Sequence, residues 1–460
     1  MSAAATQDLR GFLRGIEERN PADLLRIREP VSNRFEMTAV ALEIERRGNS
    51  PILWFEKVEG TEFPVVANVY GTRKRFAQIL CVPEEELLDA WVRRDRNPVP
   101  PKMLESGPIL DSVQTGEDVD LSRLPLITHF HEDAGPYFTA GVIVAKDPDT
   151  GVRNGSFHRL QVKGRDRLGT SLHSRRHLWS LQQRIEARGE PLEIAVVIGA
   201  HPLFYFGAGL WKGPIQADEY DVAGSFLGEP LEVVRCRTVD LEVPARAEVV
   251  LEGRIVPGVR EPEGPFAEFT GYASHASTNH VIEVTGVLHR RDALFQDVVS
   301  GNAAEHTGLL RVPGECRIYQ ALKGILPGVR AVSYPPSGAC RFHCYISMKK
   351  TAEGQAKSAI FAAMGEDLSL KWVVVVDDDV DVYNEEEVMW AVATRMQADR
   401  GVFVVPHAMG AILDPSSRNG LTAKVGIDAT APLDGWTAER CTVPEDALRM
   451  VRKKLKAWIR

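Results

Sequence analysis

Hydrophobic positions near the start of the chain recur at the spacing of an amphipathic helix. The first predicted helix rests on four such positions: Leu9, Phe12, Leu13 and Ile16. A second helix is predicted around residues 40–44. Pro83 precedes three glutamates, which indicates another helix start because proline suits the first helical position and acids suit the N-terminal dipole. The proline-rich residues 98–108 mark a boundary after these helices.

The next part of the chain is dominated by predicted strands rather than helices. Six segments are rich in β-forming residues and are bounded by Gly, Pro or Asp: residues 142–145, 156–162, 194–198, 231–239, 247–256 and 281–288. One helix is predicted among them, near residues 178–187. This pattern predicts a β-barrel or folded sheet with few crossover helices.

The last part returns to alternating strands and helices. Predicted strands cover residues 329–333, 341–348, 373–376 and 402–405, and predicted helices cover residues 354–364 and 385–396. Residues 444–460 form a basic amphipathic helix with an apolar stripe made of Leu448, Val451, Leu455 and Trp458. We therefore expect an α/β plus β protein with three parts, at residues 1–110, 111–310 and 311–460.

Composition narrows the classes of function. The chain has 55 Lys and Arg against 63 Asp and Glu, a net charge of −8, which argues against a nucleic-acid partner. Six cysteines are too sparse for a disulfide framework, so a reducing compartment is expected. The start, MSAAATQDLR, shows no secretory signal. The apolar residues 192–211 are interrupted by Glu193, His201 and Pro202, which predicts a buried strand and loop, not a membrane span. We expect a soluble, cytoplasmic protein without a membrane partner.

The strongest local signal for chemistry is a pair of acids, Glu263 and Glu268, on either side of a Gly264–Pro265 turn. Such a pair can point into one cavity and separate its two pKa values, so that one acid stays protonated as a proton donor. Taken alone, the pair is more typical of a solvated surface turn.

A second signal is the segment from Asn154 to Gln161, which contains Arg159. Residues five apart on a strand point to opposite faces, so Asn154 and Arg159 need a bend to share a site, and Gly155 would allow one. An inward arginine beside two acids would clamp a carboxylate. On this segment alone, an edge-strand arginine in a surface ion pair is the better interpretation.

A third constellation is spread along the chain. Asn154, His177 and Glu219 offer an amide oxygen, an imidazole and a carboxylate, which suit Mn²⁺ or Mg²⁺ with open positions. Their spacing does not by itself support a metal site, and a lone His177 is ordinarily a surface histidine.

Together, these residues occur in the order and approximate spacing of the UbiD family of decarboxylases, which the chain resembles. Four further sequence motifs support the resemblance: GPYFT at 135–139, KWVVVVDDDV at 371–380, WAVATR at 390–395 and KVGIDAT at 424–430. It covers most of the chain after residue 110. The fold it implies has an N-terminal α/β region, a central split β-barrel-like flavin-binding domain and a C-terminal α/β oligomerisation domain.

The resemblance also implies roles for individual residues. Arg159, Glu263 and Glu268 match the catalytic residues, and Asn154, His177 and Glu219 match the ligands of a divalent ion that tethers the phosphate of prenylated FMN. The residues implied to contact that cofactor are Thr139, Ser156, Phe157, Arg159, His177, Trp211 and Lys424. A monovalent cation, K⁺ or Na⁺, is implied near the carbonyls of residues 208–211.

The reaction implied is reversible, non-oxidative decarboxylation of an aromatic, heteroaromatic or α,β-unsaturated carboxylic acid through a covalent adduct with prenylated FMN. Arg159 would orient the carboxylate, Glu268 would donate the proton, and Glu263 would take part in the relay. The implied partners are a flavin prenyltransferase, as cofactor supplier, and further copies of the chain in a homodimer or homohexamer. Alternatives are a metal-dependent (de)carboxylase without flavin and a non-catalytic flavin-binding subunit of a larger complex.

Two other segments and two single residues are less informative about function. The acids at 377–379 follow a valine run and are expected to form a solvated strand end. The segment His129 to Asp133 is expected to be a loop near the site rather than a ligand set. His158 and Trp211 depart from the common family pattern, and we expect them to tune substrate choice.

Overall fold

The computed structural model describes residues 7–172 and 177–458, apart from the side chains of residues 456 and 457. Residues 1–6, which carry most of the expectation about a secretory signal, lie outside the described residues. Among the described helices, none is long and apolar enough to cross a membrane.

The N-terminal region contains four α-helices and three short strands. Its elements are α1 (Leu9–Arg19), β1 (Leu24–Ile27), α2 (Glu36–Arg46), β2 (Ile52–Phe55), β3 (Val65–Ala67), α3 (Arg73–Leu80) and α4 (Leu87–Arg94). The four apolar positions that predicted α1 are all buried, which confirms that helix. The three glutamates after Pro83 form a 3₁₀ turn that leads into α4, so the predicted helix start is also confirmed.

The central region is built mainly from antiparallel strands. Its elements are β4 (Lys102–Met103), β5 (Ser112–Thr115), β6 (Tyr137–Phe138), β7 (Val142–Lys146), β8 (Arg153–Phe157), β9 (Leu160–Val162), β10 (Arg167–Thr170), α5 (His177–Glu186), β11 (Leu192–Ile198), α6 (Pro202–Tyr205), α7 (Glu219–Leu227), β12 (Glu232–Arg235), β13 (Glu242–Pro244), β14 (Val249–Glu263), β15 (Ser277–His289) and β16 (Phe295–Gln296).

Nine of these strands form one sheet in the order β6-β9-β10-β15-β14-β11-β7-β8, with β5 added beside β15. The sheet curls into a half-barrel, which confirms the prediction of a split-barrel-like centre. Register shifts in the β14–β15 pair, between Glu252 and Gly253 and between Ile255 and Arg260, increase its local twist. A Cβ atom at Gly253 would lie 2.4 Å from the carbonyl oxygen of Glu283, so this close pairing needs glycine.

The C-terminal region is a five-stranded mixed sheet with helices. Its elements are α8 (Ala304–Ile325), β17 (Val329–Ser333), β18 (His343–Met348), α9 (Gln355–Glu366), β19 (Trp372–Asp377), α10 (Glu385–Arg395), α11 (Ala398–Gly401), β20 (Val402–Met409), β21 (Leu421–Ala429) and α12 (Glu445–Trp458). The strand order is β17-β18-β19-β21-β20. The strand ending at Asp377 is confirmed, and the carboxylates of Asp377 and Asp379 accept hydrogen bonds from Arg395.

Several predictions about the central and C-terminal elements are wrong. Residues 156–162 are not one strand, because β8 ends at Phe157 and β9 begins at Leu160. The segment after β11 is helical rather than a loop, since α6 is followed by a single π-helical turn, Phe206–Leu210. Helices α7 and α8 were not predicted at all.

Candidate active site

Arg159 lies in the short gap between β8 and β9. The N–H of His158 donates to the carbonyl of Gly141 at 3.1 Å, and the hydroxyl of Thr170 donates to the carbonyl of Arg159 at 3.2 Å. These contacts fix the backbone on both sides of the gap. The required change of direction therefore occurs at residues 158–159 and not at Gly155, which is part of β8. A Cβ atom at Gly155 would lie 2.1 Å from the carbonyl oxygen of Ala208, so Gly155 serves close packing instead.

The guanidinium of Arg159 is held by both predicted acids. Its Nε and Nη2 donate to the two oxygens of Glu263, each at 2.9 Å, and its Nη1 donates to Oε1 of Glu268. Three of the five guanidinium N–H groups are used in these contacts, which leaves two for the oxygens of a carboxylate. We call these three residues the triad. The structure brings them together as the sequence predicted.

Glu263 ends β14 and has no solvent-exposed surface. Besides Arg159, it accepts a hydrogen bond from Nδ2 of Asn279 on β15 at 2.9 Å. The ring of Phe266 lies 5.0 Å from Cζ of Arg159 and packs against Tyr137 at 4.6 Å. The triad thus has a buried acid on one side and an aromatic wall on another, which together limit the access of water.

The surroundings alter the proton affinity of the triad. Burial raises the pKa of Glu268 above the ordinary value for glutamate; the nearby Arg159 opposes this change and Glu263 adds to it. Burial alone would lower the pKa of Arg159, but its hydrogen bonds with Glu263 and the charge of Glu268 outweigh burial and raise that pKa. The arrangement joins a permanent cation to an acid that keeps its proton to higher pH, as proton donation requires.

The three predicted metal ligands also lie together. Asn154 is on β8, His177 begins α5 and Glu219 begins α7. Nδ2 of Asn154 donates to Oε1 of Glu219 at 2.9 Å, and Nδ1 of His177 lies 3.7 Å from the same oxygen. The start of α7 is fixed beside β8 because the side chain of Arg153 donates to Asp218 at 2.9 Å.

This cluster fits a divalent cation. Oδ1 of Asn154 is buried without a hydrogen-bond partner among the described residues, which leaves an amide oxygen available to an ion. A buried carboxylate and an imidazole beside it complete a donor set suited to Mn²⁺ or Mg²⁺. Within the described ranges, no three His, Cys, Asp or Glu side chains group as a metal site, so this mixed set is the best candidate.

Two of the predicted cofactor contacts lie next to the metal cluster and the π-helical turn. Ser156 accompanies Asn154 on β8, and its hydroxyl lies 2.8 Å from Nε2 of His158. The ring of Phe157 packs 5.2 Å from that of Tyr205. Ser156 points to the same face of β8 as Asn154, and Phe157 points to the opposite face.

The other three predicted cofactor contacts belong to parts of the chain outside β8. The buried hydroxyl of Thr139 donates to Asp297 at 2.7 Å and accepts from the N–H of Val298 at 3.0 Å, so little of its hydrogen-bonding capacity remains. Trp211 follows the π-helical turn, and its indole N–H donates to Asp95 at 3.4 Å. Lys424 is buried on β21, where its ammonium donates to the carbonyl of Leu368 at 2.9 Å.

The sequence did not identify two residues that complete the triad's surroundings. Phe266 stands between the two acids in the sequence, so its place beside Arg159 was open to prediction. Asn279 gave no signal, because its contact with Glu263 depends on the cross-strand register of β14 and β15. The segment His129 to Asp133 lies near the site as predicted: Asp133 accepts a hydrogen bond from the backbone N–H of Ala267, next to Glu268.

Comparison with known proteins agrees with this architecture. Family models of the 3-octaprenyl-4-hydroxybenzoate carboxy-lyases (UbiD) match the chain in three parts: the N-terminal domain over residues 17–94, the Rift-related domain over 102–303 and the C-terminal domain over 308–429. The anhydromevalonate phosphate decarboxylase of Methanothermobacter thermautotrophicus is 41% identical over 426 residues, which are 92% of this chain and 97% of that protein.

Solved structures show the same similarity. The UbiD-class enzyme HmfF from Pelotomaculum thermopropionicum, in complex with FMN, has a TM-score of 0.91 and 42% identity and covers 97% of this chain and 99% of its own. An evolved dimeric form of that enzyme, in complex with prFMN, has a TM-score of 0.87 and 39% identity, with coverage of 96% and 98%.

Proposed function

The chain belongs to the UbiD family and is a decarboxylase of the class that uses prenylated FMN. We propose that it catalyses a reversible, non-oxidative decarboxylation at the triad. The proposed substrate is an aromatic, heteroaromatic or α,β-unsaturated carboxylic acid. The observation that carries the proposal is the clamp on Arg159, whose guanidinium is shared between buried Glu263 and Glu268 while two N–H groups remain for a substrate carboxylate.

In this proposal, Arg159 orients the substrate. Its remaining N–H groups bind the carboxylate oxygens, and the fork of Glu263 prevents the guanidinium from turning away. Because Glu263 is buried and is also held by Asn279, it serves as a fixed counter-charge that keeps Arg159 in place.

Glu268 is the proposed proton donor. Its raised pKa keeps the carboxyl protonated at a higher pH than a solvated glutamate would be. After CO₂ has left, the carboxyl group of Glu268 transfers its proton to the substrate carbon that carried the carboxylate. Arg159 then stabilises the negative charge on Glu268. Glu263 takes part in the relay by sharing that guanidinium.

Asn154, His177 and Glu219 are the residues that would hold Mn²⁺ or Mg²⁺ beside the cofactor phosphate, and carbonyls near residues 208–211 would hold K⁺ or Na⁺. Thr139, Ser156, Phe157, Trp211 and Lys424 are proposed cofactor contacts. When bound, prenylated FMN supplies an electron sink for the electron pair left by departing CO₂. A flavin prenyltransferase is the proposed source of the cofactor.

The C-terminal region is proposed to join copies of the chain in a homodimer or homohexamer. Large apolar side chains are exposed along its last part: Leu433, Trp436, Val443, Met450, Val451, Leu455 and Trp458. An exposed apolar surface of this kind is typical of an interface.

The test is turnover by the chain co-expressed with a flavin prenyltransferase. Candidate acids are anhydromevalonate phosphate, 3,4-dihydroxybenzoic acid and a panel of heteroaromatic carboxylic acids, with CO₂ release and deuterium incorporation from D₂O as readouts. Glu268→Gln should load the cofactor and lose turnover. Glu261→Gln is the control, because Glu261 lies on β14, shortly before the turn that carries Glu268, but pairs with Arg167 at 3.0 Å. Full activity of Glu268→Gln would exclude Glu268 as the donor, and turnover without the modified flavin would exclude the proposed route.

A further inference from the structure

The turn that carries Glu268, residues 264–274, is closed by its own hydrogen bonds. The N–H of Glu268 donates to the carbonyl of Tyr272 at 3.0 Å, and the N–H of Ser274 donates to the carbonyl of Phe266 at 2.8 Å. These bonds fix the shape of the turn. They do not fix where it lies relative to Arg159, which is in the gap between β8 and β9.

Residues 129–134 are one of the segments that hold this turn against the rest of the molecule; the hydroxyl of Tyr137 also donates to the carbonyl of Pro265, and the N–H of Gly301 donates to the carbonyl of Ala267, each at 3.2 Å. Oδ1 of Asp133 accepts the N–H of Ala267 at 2.8 Å, and its Oδ2 accepts the N–H of Phe130 at 2.9 Å. The N–H of Ala134 donates to the carbonyl of Pro265 at 2.9 Å. Asp133 therefore holds the N–H immediately before Glu268 with one carboxylate oxygen, while its other oxygen fixes the carboxylate to the backbone of its own segment.

We propose that Asp133 is a positioning residue for Glu268: its carboxylate holds the Glu268 turn at Arg159, and its negative charge favours the protonated form of the donor. This rests on the proposed function, in that Glu268 is taken as the proton donor. A neutral acceptor could hold the N–H of Ala267 equally well, so the presence of a carboxylate there suggests that its charge also matters.

The charged groups around Glu268 come from several elements. Arg159 and Glu263 face it directly, Asp133 lies behind the turn, Tyr137 lies across from Glu263, and His306 on α8 contacts the adjacent Phe269. Arg159 lowers the pKa of Glu268, whereas Glu263 and Asp133 raise it. Asp133 can thus offset part of the effect of the arginine without touching the substrate.

The two proposed effects of Asp133 can be separated by substitution. Asp133→Asn keeps an oxygen that can accept the N–H of Ala267 but removes the charge, whereas Asp133→Ala removes both. Glu132→Gln is the matched control, since it removes one negative charge from an exposed neighbour in the same segment. Solvent screens an exposed charge, so the control should leave Glu268 unchanged.

The test uses the full-length chain labelled with ¹³C at the glutamate carboxyl carbon, with the Glu268 signal assigned by its loss in Glu268→Gln. We expect the titration midpoint of Glu268 to fall by at least about one pH unit in both Asp133 variants, because a charge about 12 Å away has an effect of that size at an effective dielectric constant of about 20 and a closer charge has a larger one. The amide exchange of Ala267 should accelerate in Asp133→Ala only. In turnover, the alkaline limb of kcat should move to lower pH by the same amount in Asp133→Asn.

An unchanged midpoint in Asp133→Asn would overturn the proposal even if Asp133→Ala does not fold, and so would an unchanged exchange rate of Ala267 in a folded Asp133→Ala. The titration and exchange measurements need no substrate. A shift of Glu268 without turnover of any acid would therefore refute the proposed function and leave the role of Asp133 standing. Turnover without that shift would refute the role of Asp133 and leave the proposed function standing.

Discussion

The substitution Glu263→Gln perturbs the centre of the triad while keeping the size of the side chain. Glu263 is fully buried and accepts three hydrogen bonds, two from Arg159 and one from Asn279. A glutamine has only one acceptor oxygen, so in either orientation an N–H of Arg159 must face an amide NH₂ group.

The magnitude follows from the contacts that are lost. A hydrogen bond to a charged group contributes about 1.5–3 kcal/mol, and breaking a buried ion pair costs about 3–5 kcal/mol. Because Arg159 keeps its contact with Glu268, we expect the lower end, a loss of about 3 kcal/mol in the free energy of unfolding. A guanidinium that is free to turn toward Glu268 should also lower kcat/KM about 100-fold, equivalent to about 2.7 kcal/mol.

Urea unfolding of the full chain and steady-state kinetics of the cofactor-loaded protein measure these two effects. The control is Glu261→Gln, because its ion pairs are partly exposed and should contribute less than about 1 kcal/mol. The loss of the Glu263 charge should also lower the pKa of Glu268, so the alkaline limb of the kcat profile should move to lower pH. Equal stability and equal kcat/KM in Glu263→Gln and Glu261→Gln would refute the reasoning.

Three further predictions address other parts of the molecule. Burial lowers the pKa of His280 to about 4, and neither ring nitrogen has a hydrogen-bond partner among the described residues. As the pH drops from about 6.5 to 4, the imidazole therefore binds a proton in the unfolded chain before it does so in the folded chain, and the free energy of unfolding should fall. In His280→Leu, the free energy of unfolding measured with urea should depend less steeply on pH across that range; an unchanged pH dependence would contradict this. Glu315 accepts hydrogen bonds from Arg311 and the N–H of Tyr334, each at 3.0 Å, so Glu315→Ala should lower the free energy of unfolding by about 3–5 kcal/mol, and a loss below about 1 kcal/mol would contradict it. Asn154→Ala should weaken Mn²⁺ binding at least tenfold, measured by electron paramagnetic resonance on the apo-protein, whereas undiminished affinity would exclude Asn154 as a ligand.

The strands of the half-barrel could be predicted because each combines β-forming residues with clear breaks, as β11, β14 and β15 show. Helix α7 escaped prediction because eight of its nine residues are buried, so its sequence carries no amphipathic period. In α8, Gly308, Pro313 and Gly314 argue against a helix, but tertiary packing decides otherwise. Gly308 lies against the backbone of Tyr70, and Gly314 lies against the ring of Tyr334.

The residues of the triad were found through their resemblance to a family pattern, whereas local spacing favoured a surface turn and an edge strand. Their contact depends on long-range pairing: Arg159 and Glu263 are 104 positions apart in the sequence. The bend that aims Arg159 was placed at Gly155, since glycine is the usual source of such freedom. It occurs at His158 and Arg159 because hydrogen bonds with the carbonyl of Gly141 and the hydroxyl of Thr170 fix the backbone there.

In the proposed function, Arg159 is held by Glu263 and Glu268 and faces a prenylated flavin, whose phosphate is bound at Asn154, His177 and Glu219. A crystal structure of the chain co-expressed with a flavin prenyltransferase and soaked with a carboxylic acid it turns over tests this most directly. We expect the phosphate and a divalent ion at that cluster, with the acid's carboxylate within hydrogen-bond distance of Arg159. A flavin bound away from both the cluster and the triad would contradict it.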